Sequence, residues 1–140
     1  MILSSTVFDC NLLYLPKVEG VSGNLTVADN NGHMPFSIKR VYYLYDVPSG
    51  VSRAAHAHLA LEQIIIAASG SFDITIDDGL NKKTVHLSRP YFGLHIKPGI
   101  WRDISNFSSG SICLVLASEI YLEEDYIREY ADFLRFKNVK

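Results

Sequence analysis

Two histidines two residues apart, His56 and His58, stand in the run Arg53-Ala54-Ala55-His56-Ala57-His58-Leu59-Ala60-Leu61-Glu62. On a β-strand, residues i and i+2 share a face, so both imidazoles point one way and Ala57 the other. The alanines and leucines around them favour an interior face, where two histidines together are costly unless something uses them. An imidazole titrates near neutrality, so such a pair suits proton transfer, one ring accepting while the other donates. With Glu62 four residues further on, the same side chains also make a donor set for a divalent metal with open positions. His33, His86 and His95 lack such company and are read as structural or surface residues.

Short strands must position these side chains. Runs rich in valine, isoleucine and tyrosine recur between turn signals at Val41–Tyr45, Gln63–Ala68, Ser71–Ile76, Lys83–Leu87, Gly93–Ile96 and Ile112–Ala117. Pro48-Ser49-Gly50, Ser69-Gly70, Asp77-Asp78-Gly79, Pro98-Gly99 and Ser108-Ser109-Gly110 supply the glycine or proline that tight reversals favour. So many strands in series predict an all-β fold, an antiparallel sandwich or jelly roll. Asn11–Leu15 and Asn24–Ala28 are two further candidate strands. Helical spacing is confined to the end of the chain. There Tyr126, Ile127, Tyr130, Phe133 and Leu134 repeat on one face, after acidic Glu123, Glu124 and Asp125 and before basic Arg135 and Lys137.

The chain has 140 residues, 48% of them hydrophobic, which suffices for one core but not for two ordinary domains. Residues 1–140 are therefore read as a single domain. A formal net charge of −2 gives no broad attraction for nucleic acid or anionic lipid, so any phosphate contact must come from a few placed arginines. No segment approaches the roughly 20 apolar residues of a membrane span, and Met1 to Asp9 carries no basic flank before an apolar run. A cytoplasmic protein with no nucleic-acid and no membrane partner is expected. Cys10 and Cys113 lie far apart and read as buried free thiols.

The spacing Gly50-x5-His56-x-His58-x3-Glu62 resembles the first half of the cupin signature, whose side chains project into the lumen of a jelly-roll β-barrel; Gly70 falls one residue late for its closing glycine. Pro98-Gly99-Ile100-Trp101-Arg102, with Asn106 four residues on, resembles a degraded second half. In metal-binding cupins the position of Arg102 is a histidine that completes a site of three histidines and a glutamate. Arginine stays protonated and has no lone pair to give, and a guanidinium at that corner repels a cation. The expectation is a site with no metal and no cofactor; a metal-dependent cupin oxygenase or isomerase is the alternative.

A narrower resemblance runs through Pro35-Phe36-Ser37-Ile38-Lys39-Arg40-Val41-Tyr42-Tyr43, Arg53, His56-Ala57-His58, Leu61-Glu62-Gln63, Gly93-Leu94, Trp101, Val115-Leu116-Ala117-Ser118 and Asp125-Tyr126-Ile127-Arg128. In order and spacing these resemble the dTDP-4-oxo-6-deoxyglucose 3,4-oxoisomerase family over nearly all the chain from Pro35 onward. The resemblance implies a cupin-type jelly-roll homodimer, metal-free, whose partner is a dTDP-linked keto-sugar. It implies transfer of that sugar's carbonyl from carbon 4 to carbon 3, on the way to 3-amino-3,6-dideoxyhexoses of surface polysaccharides such as the O-antigen of lipopolysaccharide.

That chemistry removes the hydrogen alpha to a ketone, passes through an enediol, and returns a proton to the neighbouring carbon. Nothing is oxidised overall, so no nicotinamide is needed. His56 is expected to abstract the carbon-bound proton and His58 to relay a proton between the two oxygens, with the roles open to exchange. Arg40 and Arg53 are candidates for the diphosphate, because a forked guanidinium holds phosphate oxygens at two points. Arg102 would face the sugar, and Tyr43, Gln63 and Trp101 complete the expected substrate-binding set. Competing structural readings are strand capping for Arg40 and wall packing for Trp101. Glu62 is either a vestigial metal ligand or the partner that fixes the His58 tautomer. The residue after Trp101, and Ser22 in the N-terminal segment, are expected to bear on the configuration at carbon 4, with a lean toward a gluco-like product. A non-catalytic sugar-nucleotide binding cupin is the third reading.

Overall fold

β-Branched and aromatic runs pair into two sheets, in a computed structural model that describes residues 5–32 and 34–139; the expectation for His33 lies outside them. A 3-10 turn at Val7–Asp9 leads into β1 (Asn11–Tyr14), β2 (Lys17–Val18), β3 (Leu25–Thr26), β4 (Arg40–Leu44), β5 (Arg53–His58) and β6 (Gln63–Ser69). There follow β7 (Phe72–Asp77), β8 (Lys82–Leu87), β9 (Phe92–Ile96), β10 (Trp101–Ser105) and β11 (Ile112–Ala117). A second 3-10 turn (Glu123–Asp125), β12 (Tyr126–Ile127) and the helix α1 (Tyr130–Phe136) close the chain. One sheet has the order β1-β9-β6-β11-β4, the other β12-β5-β10-β7-β8, and β2 and β3 form a small ribbon. Every pairing is antiparallel. This is a cupin-type jelly-roll barrel.

Period-2 alternation explains what each face carries. Ile65, Leu94, Ile96 and Val115 of the first sheet meet Phe72, Ile74, Ile76 and Ile104 of the second in one core that fills the closed end of the barrel. The run Ile64-Ile65-Ile66-Ala67 is buried on both faces, because Ile64 and Ile66 pack outward with Leu15 and Leu116 under Met34, Phe36 and Ile38. Behind the second sheet, Phe133 of α1 covers Trp101 and Ala57.

Two expectations need correction. The C-terminal helix does not begin at the acidic triplet. Residues 123–125 form a 3-10 turn, and Tyr126 and Ile127 pair with His58 and Ala57 instead, so only Tyr130–Phe136 is helical. The backbone hydrogen bonds of a strand edge outbid helical periodicity there. Asn24–Ala28 contracts to a two-residue strand, while β10 emerges from a segment read as a motif rather than as a strand.

Gly70 closes the turn between β6 and β7 with φ at +67°, and a Cβ there would lie 2.8 Å from the Ser111 Cα. Gly70→Ala should therefore cost more than about 1–2 kcal/mol, read as a lowered midpoint in urea denaturation.

Candidate active site

The open end of the barrel holds a cavity of about 450 Å³. On β4 the even positions point inward, so Arg40, Tyr42 and Leu44 line it. The odd positions point out: Tyr43 is exposed beside Tyr45 and does not line the cavity, which corrects its expected place in the substrate set. Tyr42 lines the cavity in its stead.

β5 reaches the cavity through an irregularity. Opposite β10, Arg102 pairs with His56 and Ile104 with Arg53, so three steps on one strand face two on the other. The extra residue is absorbed where Ala54 adopts φ of +66°. This bulge brings Arg53 and His56, which strict alternation would separate, to one face. Such a left-handed alanine stores strain of the kind found at functional sites.

Arg102 and Ile104 of β10 also face inward. Trp101, which shares the parity of Asp103, faces outward and packs edge-on against Tyr130. Its expected substrate contact is therefore corrected to wall packing. Gln63, at the start of β6, donates to the Tyr42 hydroxyl at 3.0 Å and accepts from Arg102 Nη1 at 2.6 Å. The Arg102 guanidinium also donates to the Ile100 carbonyl, through Nη2 at 3.0 Å and Nε at 3.3 Å. Among the described residues no carboxylate pairs with this fully buried cation, and burial pushes its pKa down to about 10.

His56 is 8% exposed and lines the cavity; His58 lies behind it, fully buried. Their Nε2 atoms are 3.1 Å apart with the rings nearly perpendicular. His58 Nδ1 sits 3.0 Å from an Asp125 carboxylate oxygen. Tyr126 packs on both imidazoles, and Arg128 stacks on Tyr126 while pairing with Glu123. His58 thus reaches the cavity through His56 rather than alongside it.

Burial, then the positive field of Arg102, holds both imidazoles neutral: the His56 pKa falls to about 3 and that of His58 is pushed down further. The consequence for stability has a definite sign. Above about pH 7 both states carry neutral rings. As pH falls below about 6.5 the unfolded chain takes up protons that the folded site refuses, so stability drops, by up to about 1.4 kcal/mol per pH unit per histidine. Denaturation at pH 7.5 and pH 5 should show this loss, and His56→Gln should shrink it.

Four guanidinium groups, from Arg40, Arg53, Arg102 and Arg128, line the cavity with no Asp or Glu among the lining residues. The Nε and Nη2 atoms of Arg40 are buried without a hydrogen-bond partner, an arrangement that awaits an acceptor. The donor set does not suit a metal ion. Glu62 turns to the outer face of the sheet and binds His95 Nε2 at 2.8 Å, next to the Phe36 ring. It therefore neither joins the histidine pair nor sets the His58 tautomer, and His95, buried and paired with Glu62, is a structural residue. Among the described residues no three His, Cys, Asp or Glu side chains converge as ligands. His86 is exposed and paired with Asp73, as a surface residue.

Asp125, Tyr126 and Arg128 stand at the site, although the sequence spacing places Asp125 and Tyr126 at the start of a helix. Sequence distance concealed them: 67 positions separate Asp125 from His58.

The family model described as FdtA, WxcM-like, C-terminal, matches residues 8–138. The TDP-4-oxo-6-deoxy-alpha-D-glucose-3,4-oxoisomerase of Aneurinibacillus thermoaerophilus is 39% identical over 120 residues, 86% of each chain. Among solved structures, the WlaRB TDP-quinovose 3,4-ketoisomerase of Campylobacter jejuni is 45% identical with a TM-score of 0.87, over 92% of this chain and 99% of that one. QdtA, a sugar 3,4-ketoisomerase of Thermoanaerobacterium thermosaccharolyticum in complex with TDP, is 34% identical with a TM-score of 0.92, over 95% and 97%.

Proposed function

The chain belongs to the FdtA-like family, WxcM-like C-terminal, whose relatives are sugar 3,4-ketoisomerases, and from that premise we propose that it is an isomerase converting dTDP-4-keto-6-deoxyglucose to the 3-keto isomer. One observation carries the reading: four arginines and no carboxylate surround a cavity whose one presented imidazole is held neutral. A nucleoside diphosphate needs the first feature, and abstraction of a proton alpha to a ketone needs the second.

His56, presented to the cavity, takes the proton from carbon 3. The resulting enediolate lies in the field of Arg102, a cation already stripped of water and fixed by Gln63 and Ile100, which favours the anionic intermediate. A proton moves from the carbon 3 oxygen to the carbon 4 oxygen, and His56 returns a proton to carbon 4. No electron leaves the sugar. The expected task of His58, relay between the two oxygens, is replaced in this proposal by support of His56 from behind.

Arg40 and Arg53 hold the diphosphate. Each charge-assisted hydrogen bond is worth about 1.5–3 kcal/mol, so Arg40→Leu should weaken TDP binding by about 10- to 100-fold in calorimetric titration. Unchanged affinity would remove Arg40 from the phosphate site. Turnover of the keto-sugar by the protein tests the reading as a whole.

The product is proposed to be gluco-like, on the 45% identity with an enzyme of TDP-quinovose, a 6-deoxyglucose. Ser22, in the exposed turn before β3, does not line the cavity. A homodimer is proposed because β4 is an edge strand exposing Val41 and Tyr43, with exposed Tyr45 just beyond its end. The substrate class supports a cytoplasmic setting and a part in making surface polysaccharide such as O-antigen.

A further inference from the structure

Asp125 does not line the cavity, yet its carboxylate is held at three points. Oδ1 accepts from the Ala60 N–H at 2.8 Å, while Oδ2 accepts from the Leu61 N–H at 3.3 Å and lies 3.0 Å from His58 Nδ1. The backbone fixes the residue as well. The Leu59 N–H donates to the Asp125 carbonyl at 2.9 Å, and β12 begins at the next residue, pairing with β5 opposite His58.

An ionised carboxylate offers only acceptors, so the His58 nitrogen facing it carries the hydrogen. With Nδ1 protonated, neutral His58 has a bare Nε2. That lone pair faces His56 Nε2 at 3.1 Å, and the hydrogen between them must belong to His56. His56 is left with a bare Nδ1, its free nitrogen. One carboxylate thereby sets the tautomer of both rings in series.

We propose that Asp125 is a positioning residue that makes His56 the base, and that the proton load is shared along Asp125, His58 and His56 during turnover. The proposal rests on the ketoisomerase reading above. In the first step the C–H bond at carbon 3 breaks and an N–H bond forms at His56 Nδ1. As it does so, the His56 Nε2–H breaks and its proton bonds to His58 Nε2. The positive charge then rests on His58 beside the Asp125 carboxylate, opposite the enediolate. Return of a proton to carbon 4 reverses both transfers, and no redox partner is involved. The ring that ends up protonated is the one whose Nδ1 lies 3.0 Å from a carboxylate oxygen, a placement that favours the charged form.

Ring-nitrogen NMR of the ligand-free protein carrying ¹⁵N-labelled histidine tests the arrangement without any turnover. The expected spectrum has His58 protonated at Nδ1 and bare at Nε2, with His56 protonated at Nε2 and bare at Nδ1. A bare His58 Nδ1 overturns the proposal. In Asp125→Asn the amide presents hydrogens where acceptors stood, so both tautomers should invert, as in a Ser-His-Asp triad given the same change. The expected outcome is a kcat lower by about 10²- to 10⁴-fold with KM changed less than about threefold. A folded Asp125→Asn protein with wild-type kcat overturns it too. Should that variant not fold, the spectrum of the unaltered protein still decides. Failure of the wild-type protein to isomerise the sugar strikes the ketoisomerase reading instead, and leaves the tautomer assignment to stand or fall on the spectrum.

Discussion

His56→Asn should lower kcat by about 10⁴-fold while leaving the fold and TDP binding nearly intact. General acid–base catalysis contributes about 10²- to 10⁴-fold per group, and His56 serves twice in the proposed cycle, taking a proton from carbon 3 and returning one to carbon 4. It is the member of the pair that lines the cavity, so among the described residues no other imidazole stands ready to replace it. Asparagine nearly matches the ring's polar reach and can still donate to His58 Nε2, which limits the structural cost. Because His56 is buried and held neutral, its loss should also flatten the acid-side decline in stability. Steady-state kinetics together with TDP-induced thermal stabilisation check both halves. A kcat within tenfold of wild type would remove His56 from the chemistry.

Arg102→Met should separate activity from stability in the opposite sense to most buried truncations. The guanidinium is fully buried, has no carboxylate partner, and has its pKa depressed from 12.5 to about 10, which corresponds to about 3 kcal/mol against the charged form. Methionine removes that term and adds apolar burial worth about 1–2 kcal/mol. Against this, the Gln63 and Ile100 oxygens lose their donors at about 1–3 kcal/mol. The expected net change is about 1–4 kcal/mol of added stability, whereas kcat falls by about 10²- to 10³-fold as the enediolate loses its fixed cation. Urea denaturation and kinetics on one preparation measure both. A loss of several kcal/mol with activity retained would make Arg102 a structural residue.

Much of this was legible in the amino acids, and the failures have physical causes. The strands of the two sheets follow from β-branched runs bounded by turn residues, since that pattern buries one face or both without help from distant contacts. The histidine pair was legible because i, i+2 spacing survives any barrel geometry, and Arg102 because its charge conflicts with a metal site. Tyr43 was misplaced by one position of parity: with Arg40 inside the barrel, Tyr42 shares its face and Tyr43 cannot. Arg53 and His56 meet only through a bulge at Ala54, a residue type that gives no local warning of positive φ. The C-terminal segment read as helix because its apolar residues repeat at helical spacing, but β5 offers residues 126 and 127 a strand to pair with. That same pairing delivers Asp125 to His58, and nothing local in the sequence announces it. Trp101 turned outward for a similar reason, since α1 covers the outer face of β10.

The most direct measurement is proton NMR of dTDP-4-keto-6-deoxyglucose incubated in D₂O with chelator-treated protein. A 3-keto sugar with deuterium bound to carbon 4 is the expected result, and in a parallel incubation in H₂O the couplings of the proton on carbon 4 should be those of a gluco-like configuration. A sugar spectrum that stays unchanged with the wild-type protein would contradict it.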